Sequence, residues 1–170
     1  RLTAMVGLED RVRFLTADAL DNPFPDGTFD VVISQEAGCH IPGKQRLISE
    51  CVRVTKSGGV LAFTDVLEMR PLDREARARL RGGRTFGELE TLDGYVELLR
   101  QAGCAVLQGD DVSEEWGRTL AGRRKLFGGL KDQTEARFGE SHSRDWDDSL
   151  LFFFALMESS NLGGGRFVAR

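Results

Sequence analysis

Residues 15–65 read LTADALDNPFPDGTFDVVISQEAGCHIPGKQRLISECVRVTKSGGVLAFTD, and this stretch decides the fold. Its centre, FDVVIS at 29–34, is a short apolar run of the kind that forms a strand covered on both faces of a parallel sheet. Upstream, RVRFLTAD at 11–18 alternates charged and apolar residues before a polar bend, which predicts another strand. The two are joined by NPFPDG at 22–27, a loop whose prolines and glycine break regular structure. Downstream, Leu47, Ile48, Cys51, Val52 and Val54 recur at helical spacing between Pro42 and Thr55. Ser57-Gly58-Gly59 is expected to stop that helix, because glycine accepts the left-handed backbone of a helix C-terminus. VLAFT at 60–64 then reads as a buried strand ending at Asp65.

Outward from there the alternation continues. Thr91 is placed to cap a helix whose Leu92, Tyr95, Val96 and Leu99 share one face, closed by Gly103. Residues 104–108 are a strand candidate, and Ser113 is expected to cap a long polar helix broken at Gly128-Gly129. An apolar helix spans 147–159, and Gly163-Gly164-Gly165 leads into a final strand at 166–170. Strands alternating with helices predict an α/β fold with a largely parallel sheet.

Composition narrows the function classes. The chain has 170 residues, 41% hydrophobic and 29% charged, the length of one domain with a sizeable core. A net charge of −4 argues against broad nucleic-acid binding, which needs a basic surface to neutralise phosphates. The longest apolar run, residues 150–157, falls well short of the ~20 residues of a membrane span, so no membrane partner is expected. Cys39, Cys51 and Cys104 are odd in number and widely spaced, which fits reduced thiols in a cytoplasmic protein. With His40 and His142 the only histidines, no metal site is expected.

In open α/β sheets ligands bind beyond the carboxyl ends of the strands. The three strand ends read above place Asp18, Gln35, Glu36, His40 and Asp65 around one crevice. Each of these residues also has a simpler reading as the cap of a turn or helix.

The stretch at 15–65 resembles the middle of a class I S-adenosylmethionine-dependent methyltransferase. The resemblance rests on the Asp18-Ala19 pair after a strand, the PFPDGTFD approach to the next, and the helix ending in KSGG before a third. It is nearest to the small-molecule branch around sarcosine/dimethylglycine, tocopherol-type and sugar O-methyltransferases. There the segment after the central strand reads much like SQEAGCH, and LGGGRFVAR suits the last strand. The likeness runs from about Val12 to Val168 and implies a Rossmann-like methyltransferase sheet, mostly parallel with an antiparallel last strand.

The resemblance implies roles. S-adenosylmethionine is the cofactor. Asp18 would accept a hydrogen bond from the adenine amino group while the Ala19 backbone N–H reads the ring edge. Leu20 and Phe24 would form apolar walls, Phe24 being equally suited to core packing, and Ser34 and Gln35 would lie beside the methionine portion. His40 is the base candidate, since a histidine ordinarily titrates near neutrality, although a cap or cofactor contact would serve as well. Glu36, Cys39 and His40 would face a small-molecule methyl acceptor, with Asp65 lining the same pocket as an acid. Glu36 would hold a cationic amine or simply face the following helix.

Residues 66–90 would cover the substrate. Their Arg70, Arg74, Arg77, Arg79, Arg81 and Arg84 would either recognise a carboxylate or phosphate or line a solvated helix face. Asp110-Asp111 would bind magnesium only with a third oxygen ligand, so a strand-end turn is preferred.

The family opens with a strand, a glycine-rich turn and a helix, then a strand ending in an acid that holds the ribose. Nothing before Val12 supplies these, and the chain begins at Arg1. The expectation is therefore a single, partial domain over 1–170, the C-terminal portion of a longer enzyme, with its gap beside the strand at 29–34. A homo-oligomer is left open, because unpaired sheet edges associate. The competing reading is a non-catalytic binding or structural module on the same scaffold. A nicotinamide-dependent oxidoreductase is disfavoured, since the strand ends show no Tyr-x-x-x-Lys set.

Overall fold

The computed structural model describes residues 2–82 and 86–170, and their side chains except those of Leu2, Phe127 and residues 140–147. A short helix, α1 (Leu2–Met5), leads through a turn-rich segment to β1 (Phe29–Gln35), the apolar run of the quoted stretch. There follow α2 (Lys44–Val54), β2 (Thr55–Glu68), α3 (Arg74–Gly82), α4 (Leu92–Gln101) and β3 (Val106–Asp111). The chain then continues through α5 (Ser113–Gly129), α6 (Lys131–Phe138), α7 (Glu140–Glu158) and β4 (Leu162–Ala169). Among the described residues no helix is long and apolar enough to cross a membrane.

The strands form one sheet in the order β1-β2-β4-β3. β1 pairs with β2 in parallel, Gln35 opposite Thr64, whereas β4 runs antiparallel to both β2 and β3. The expectation of a mostly parallel sheet is corrected: one described pairing is parallel and two are antiparallel, because β4 inserts between β2 and β3.

Alternation along β2 sorts its side chains between two layers. Leu61, Phe63 and Leu67 pack with Ile48 of α2, Tyr95 and Leu99 of α4, and Phe167 of β4. Val66 belongs to the other layer with Cys39, Leu72, Leu80, Phe86 and Leu162, against which Trp116 of α5 and Phe152, Phe153 and Leu156 of α7 lie. Gly164 makes that second layer possible. A Cβ there would stand 2.5 Å from the Trp116 ring, closer than any side chain tolerates.

Four expectations are corrected by this architecture. Residues 11–18 form no strand. Their alternation supplies a face, but a strand also needs a neighbouring backbone for its N–H and C=O groups, and Phe14 is 83% exposed. β1 is not covered on both faces either, since Val31 and Ile33 are exposed. α2 stops at Val54, with extended Thr55 as its cap, before the Ser57-Gly58-Gly59 run; that run belongs to the irregular start of β2, where Gly58 takes φ of 73°. The later strands are displaced too. β2 runs on to Glu68, so Asp65 lies inside it opposite Gly165, and β4 already includes the three glycines.

Thr91 does cap α4, its side chain accepting the Gly94 N–H at 3.0 Å. At α5 the cap is instead Asp111, whose Oδ1 accepts the Ser113 N–H at 2.8 Å, while Ser113 Oγ accepts from Gly164 at 3.1 Å. The loop at 22–27 is held by Arg53 of α2, which donates to the Phe24 carbonyl, to Asp26 and to Glu50. That guanidinium holds the Glu50 carboxyl below its usual range.

Candidate active site

Beyond the end of β1 the backbone turns sharply. Glu36 takes a left-handed conformation (φ 51°), its N–H still bonded to the Thr64 carbonyl at 2.8 Å, and a single 3-10 turn follows at Gly38–His40. This turn is the centre of the site. Its Cys39 N–H donates to Asp65 Oδ1 at 2.9 Å, and the other carboxylate oxygen accepts the Tyr95 hydroxyl of α4. Lys44, in the first turn of α2, donates from Nζ to the carbonyls of Gly38 and Ile41, each at 2.6 Å. The Gly87 N–H donates to the Cys39 carbonyl at 2.9 Å. β2, α4, α2 and the segment before α4 thus converge on three residues.

Burial shapes the protonation of this cluster. Asp65, Lys44, Cys39 and Tyr95 are all buried. Burial, reinforced by the neighbouring Asp65 charge, pushes the Cys39 thiol up to about 12 and raises the Tyr95 phenol above its ordinary value. Burial also pushes Lys44 down, while Asp65 opposes that shift by attraction. The Cys39 thiol points at the Glu36 carbonyl at 3.4 Å. His40 alone of the turn is exposed, and its ring stacks on Phe86 at 5.7 Å, with Phe86 stacked in turn on Phe153 at 5.5 Å.

Glu36, Cys39, His40 and Asp65 are therefore brought together, and Ser34 and Gln35 lie next to them at the end of β1, opposite Phe63 and Thr64. Asp18, Ala19 and Leu20 are anchored separately. Asp18 Oδ1 accepts the Leu20 N–H at 2.9 Å, and Arg46 of α2 donates to the Leu20 carbonyl at 3.0 Å. Asp18 and Ala19 are exposed, and Phe24 packs edge-on against Phe29 at 4.8 Å.

The arginine run divides. Arg77 pairs with Glu68 at 2.5 Å and Arg79 lies 4.1 Å over the Phe152 ring, so both dock α3. Arg70, Arg74 and Arg81 are exposed, while Arg84 and the side chain of His142 lie outside the described residues. Asp110 pairs with Arg166 at 2.9 Å, and no metal-binding cluster occurs among the described residues.

Nothing local in the sequence ties Tyr95 or Lys44 to this cluster. Tyr95 shares the apolar face of α4, where a core reading suffices. Lys44 left one signal: a cation in the first turn of a helix opposes the helix dipole, and so calls for a partner elsewhere.

The sheet order and the turn after β1 recur in solved methyltransferase structures, and the sequence resembles the class I S-adenosylmethionine-dependent methyltransferases. A family profile described as a methyltransferase domain matches residues 2–63. The chain is 33% identical over 166 residues to the 27-O-demethylrifamycin SV methyltransferase of Amycolatopsis mediterranei, covering 96% of this chain and 60% of that one. It is 48% identical over 58 residues to the chloroplastic tocopherol O-methyltransferase of Arabidopsis thaliana, which is 34% of this chain and 17% of the relative. Its fold matches a Galdieria sulphuraria structure assigned as a sarcosine dimethylglycine methyltransferase, with a TM-score of 0.86, 20% identity and coverage of 99% of this chain and 62% of that one. The chain thus spans at most about three fifths of the relatives named here.

Proposed function

We propose that this chain serves the transfer of a methyl group from S-adenosylmethionine to a small-molecule N, O or C acceptor. The observation that carries the reading is the buried clamp on the turn at Gly38–His40, which leaves the His40 ring exposed just past β1. The cofactor, when bound, supplies an activated methyl on sulfur and its own leaving group. The protein's task is then to orient the acceptor and take its proton where the acceptor carries one.

His40 is the group we assign to that proton. Glu36 and His40 line the acceptor side, and buried Cys39 shapes its floor. The stacked Phe86 and Phe153 continue this wall into the 66–90 segment, which we read as the substrate cover. The first three residues of that segment belong to β2. Asp65 lies beneath the same wall. On the cofactor side, the exposed Asp18 carboxylate and the neighbouring Ala19 offer an acceptor and a backbone donor side by side, as an aminopurine edge requires. Leu20, Ser34 and Gln35 would flank the remainder of the cofactor. The arrangement is that of a Rossmann-like methyltransferase with its cofactor above the strand ends.

The test is calorimetric titration of S-adenosylhomocysteine into the full-length gene product. Binding is expected, weakened about tenfold or more by Asp18→Ala, which removes a hydrogen bond from a site built to recognise it. His40→Ala is expected to leave that affinity within about twofold. An absence of binding would sink the methyltransferase reading and favour a non-catalytic module.

A further inference from the structure

A 3-10 turn needs little help to form. The turn at Gly38–His40 already has its own bonds, His40 N–H to the Ala37 carbonyl at 3.2 Å and Ile41 N–H to the Gly38 carbonyl at 2.8 Å. Yet two buried charged residues are committed to it, Asp65 on its amide side and Lys44 on its carbonyl side. Removing charges from water is costly, and apolar packing would hold a turn at lower expense. What charged groups add is direction: each hydrogen bond fixes a peptide plane at a defined distance and angle.

Asp65 is 1% exposed, with one oxygen taken by the Cys39 N–H and the other by the Tyr95 hydroxyl. Tyr95 packs against the stacked pair Phe63 and Phe167, at 5.2 and 5.1 Å, so the carboxylate is fixed from behind by the sheet core. Gly38 completes the fit, because a Cβ there would lie 2.7 Å from Asp65 Oδ2. The residue delivered to the surface by this assembly is His40.

We propose that Asp65, Tyr95 and Lys44 are positioning residues: they clamp the turn at Gly38–His40 from opposite sides and thereby set where His40 stands. This rests on the reading of His40 as the acceptor-side base, and it reassigns Asp65 from an acid that meets the acceptor to a group that acts through the turn. Burial, reinforced by the neighbouring Asp65, shifts Cys39 and Tyr95 upward, which accords with it, since both groups keep their protons inside the cluster.

The test compares Asp65→Asn with Asp65→Ala in the full chain, by amide hydrogen exchange at Cys39 and by the imidazole proton–carbon resonance of His40. Asparagine can still accept from Cys39 with its Oδ1 and donate to the Tyr95 oxygen with its amide; alanine can do neither. Asp65→Ala is expected to speed Cys39 exchange at least tenfold and to move the His40 resonance. Asp65→Asn should keep the exchange within about threefold and the resonance near its wild-type position. Should Asp65→Ala fail to fold, Tyr95→Phe, which deletes one hydroxyl, is expected to move the His40 resonance in the same direction. Unchanged Cys39 exchange in a folded Asp65→Ala, or an unmoved His40 resonance in Tyr95→Phe, overturns the clamp. S-adenosylhomocysteine affinity measured on the same samples keeps the two ideas apart. Loss of binding in the wild type defeats the methyltransferase reading, while the exchange and resonance data still judge the clamp.

Discussion

Asp18 and Asp65 look alike in the sequence, each an aspartate after an apolar stretch, and they live in opposite surroundings. Asp65 lies inside β2 with the sheet core behind it and both oxygens engaged by other elements. Asp18 lies in an exposed segment, its Oδ1 turned back on the N–H of Leu20 two residues on. Position relative to the strand ladder, more than residue type, decides what a carboxylate can do. The carboxylate sealed into the ladder has both oxygens engaged by other elements, and the one outside it makes a local bond at an exposed position.

The contrast can be broken most forcefully at Gly38. Gly38→Ala would drive a methyl group onto Asp65 Oδ2, which burial and the Tyr95 hydroxyl keep from moving aside. Overpacking together with a strained buried hydrogen bond is expected to cost about 2–3 kcal/mol in urea unfolding. A loss below about 0.5 kcal/mol would show that the carboxylate is free to shift.

Alkaline pH probes the same cluster more gently. The unfolded Cys39 thiol ionises near 9.0 while the folded one holds its proton to about 12. The unfolded state therefore binds fewer protons in that window, and stability falls as pH rises, by about 1.4 kcal/mol per unit for one such group. Tyr95 adds a loss of the same sign above its ordinary 10.0. Lys44, pushed down from 10.5, acts in the opposite sense below that value. The net decline is thus expected to steepen above about pH 10.5, and Cys39→Ala to flatten it. Parallel pH–stability curves for wild type and variant would refute this account.

The smallest effect is expected at the other aspartate. Asp18→Ala removes an exposed local bond, so thermal unfolding should register a change within about 0.5 kcal/mol even as cofactor-product affinity falls. A large stability loss there would erase the distinction between the two sites.

Local signals located α2 and α4 well, because apolar spacing, the Thr91 cap and Gly103 all agree. Residues 11–18 form no strand for want of a partner, which periodicity in one segment does not reveal. The apolar run VLAFT breaks at Asp65, whereas β4 extends the ladder to Glu68 by pairing with glycines that carry no strand signal. The site followed the same rule. The position of Glu36 and His40 just past β1, beside Ser34 and Gln35, is legible from the apolar run, whatever their roles. The roles of Tyr95 and Lys44 depend on contacts across the fold, and a tyrosine on an apolar helix face gives no hint of where its hydroxyl ends.

The insertion of β4 between β2 and β3 has a consequence for how the chain comes off the ribosome. β2 is complete at Glu68, but the strand that joins it to β3 begins only at Leu162. At a synthesis rate of about 5–20 residues per second, β2 waits roughly 5–20 s with one flank bare. During that interval the backbone of Leu61–Glu68 lacks the hydrogen-bonding partner that β4 supplies in the finished sheet. The order of strands in space thus sets a timetable in which Asp65 and Tyr95 are both synthesised well before Phe167, the β4 residue that packs against Tyr95 and completes the sheet behind them.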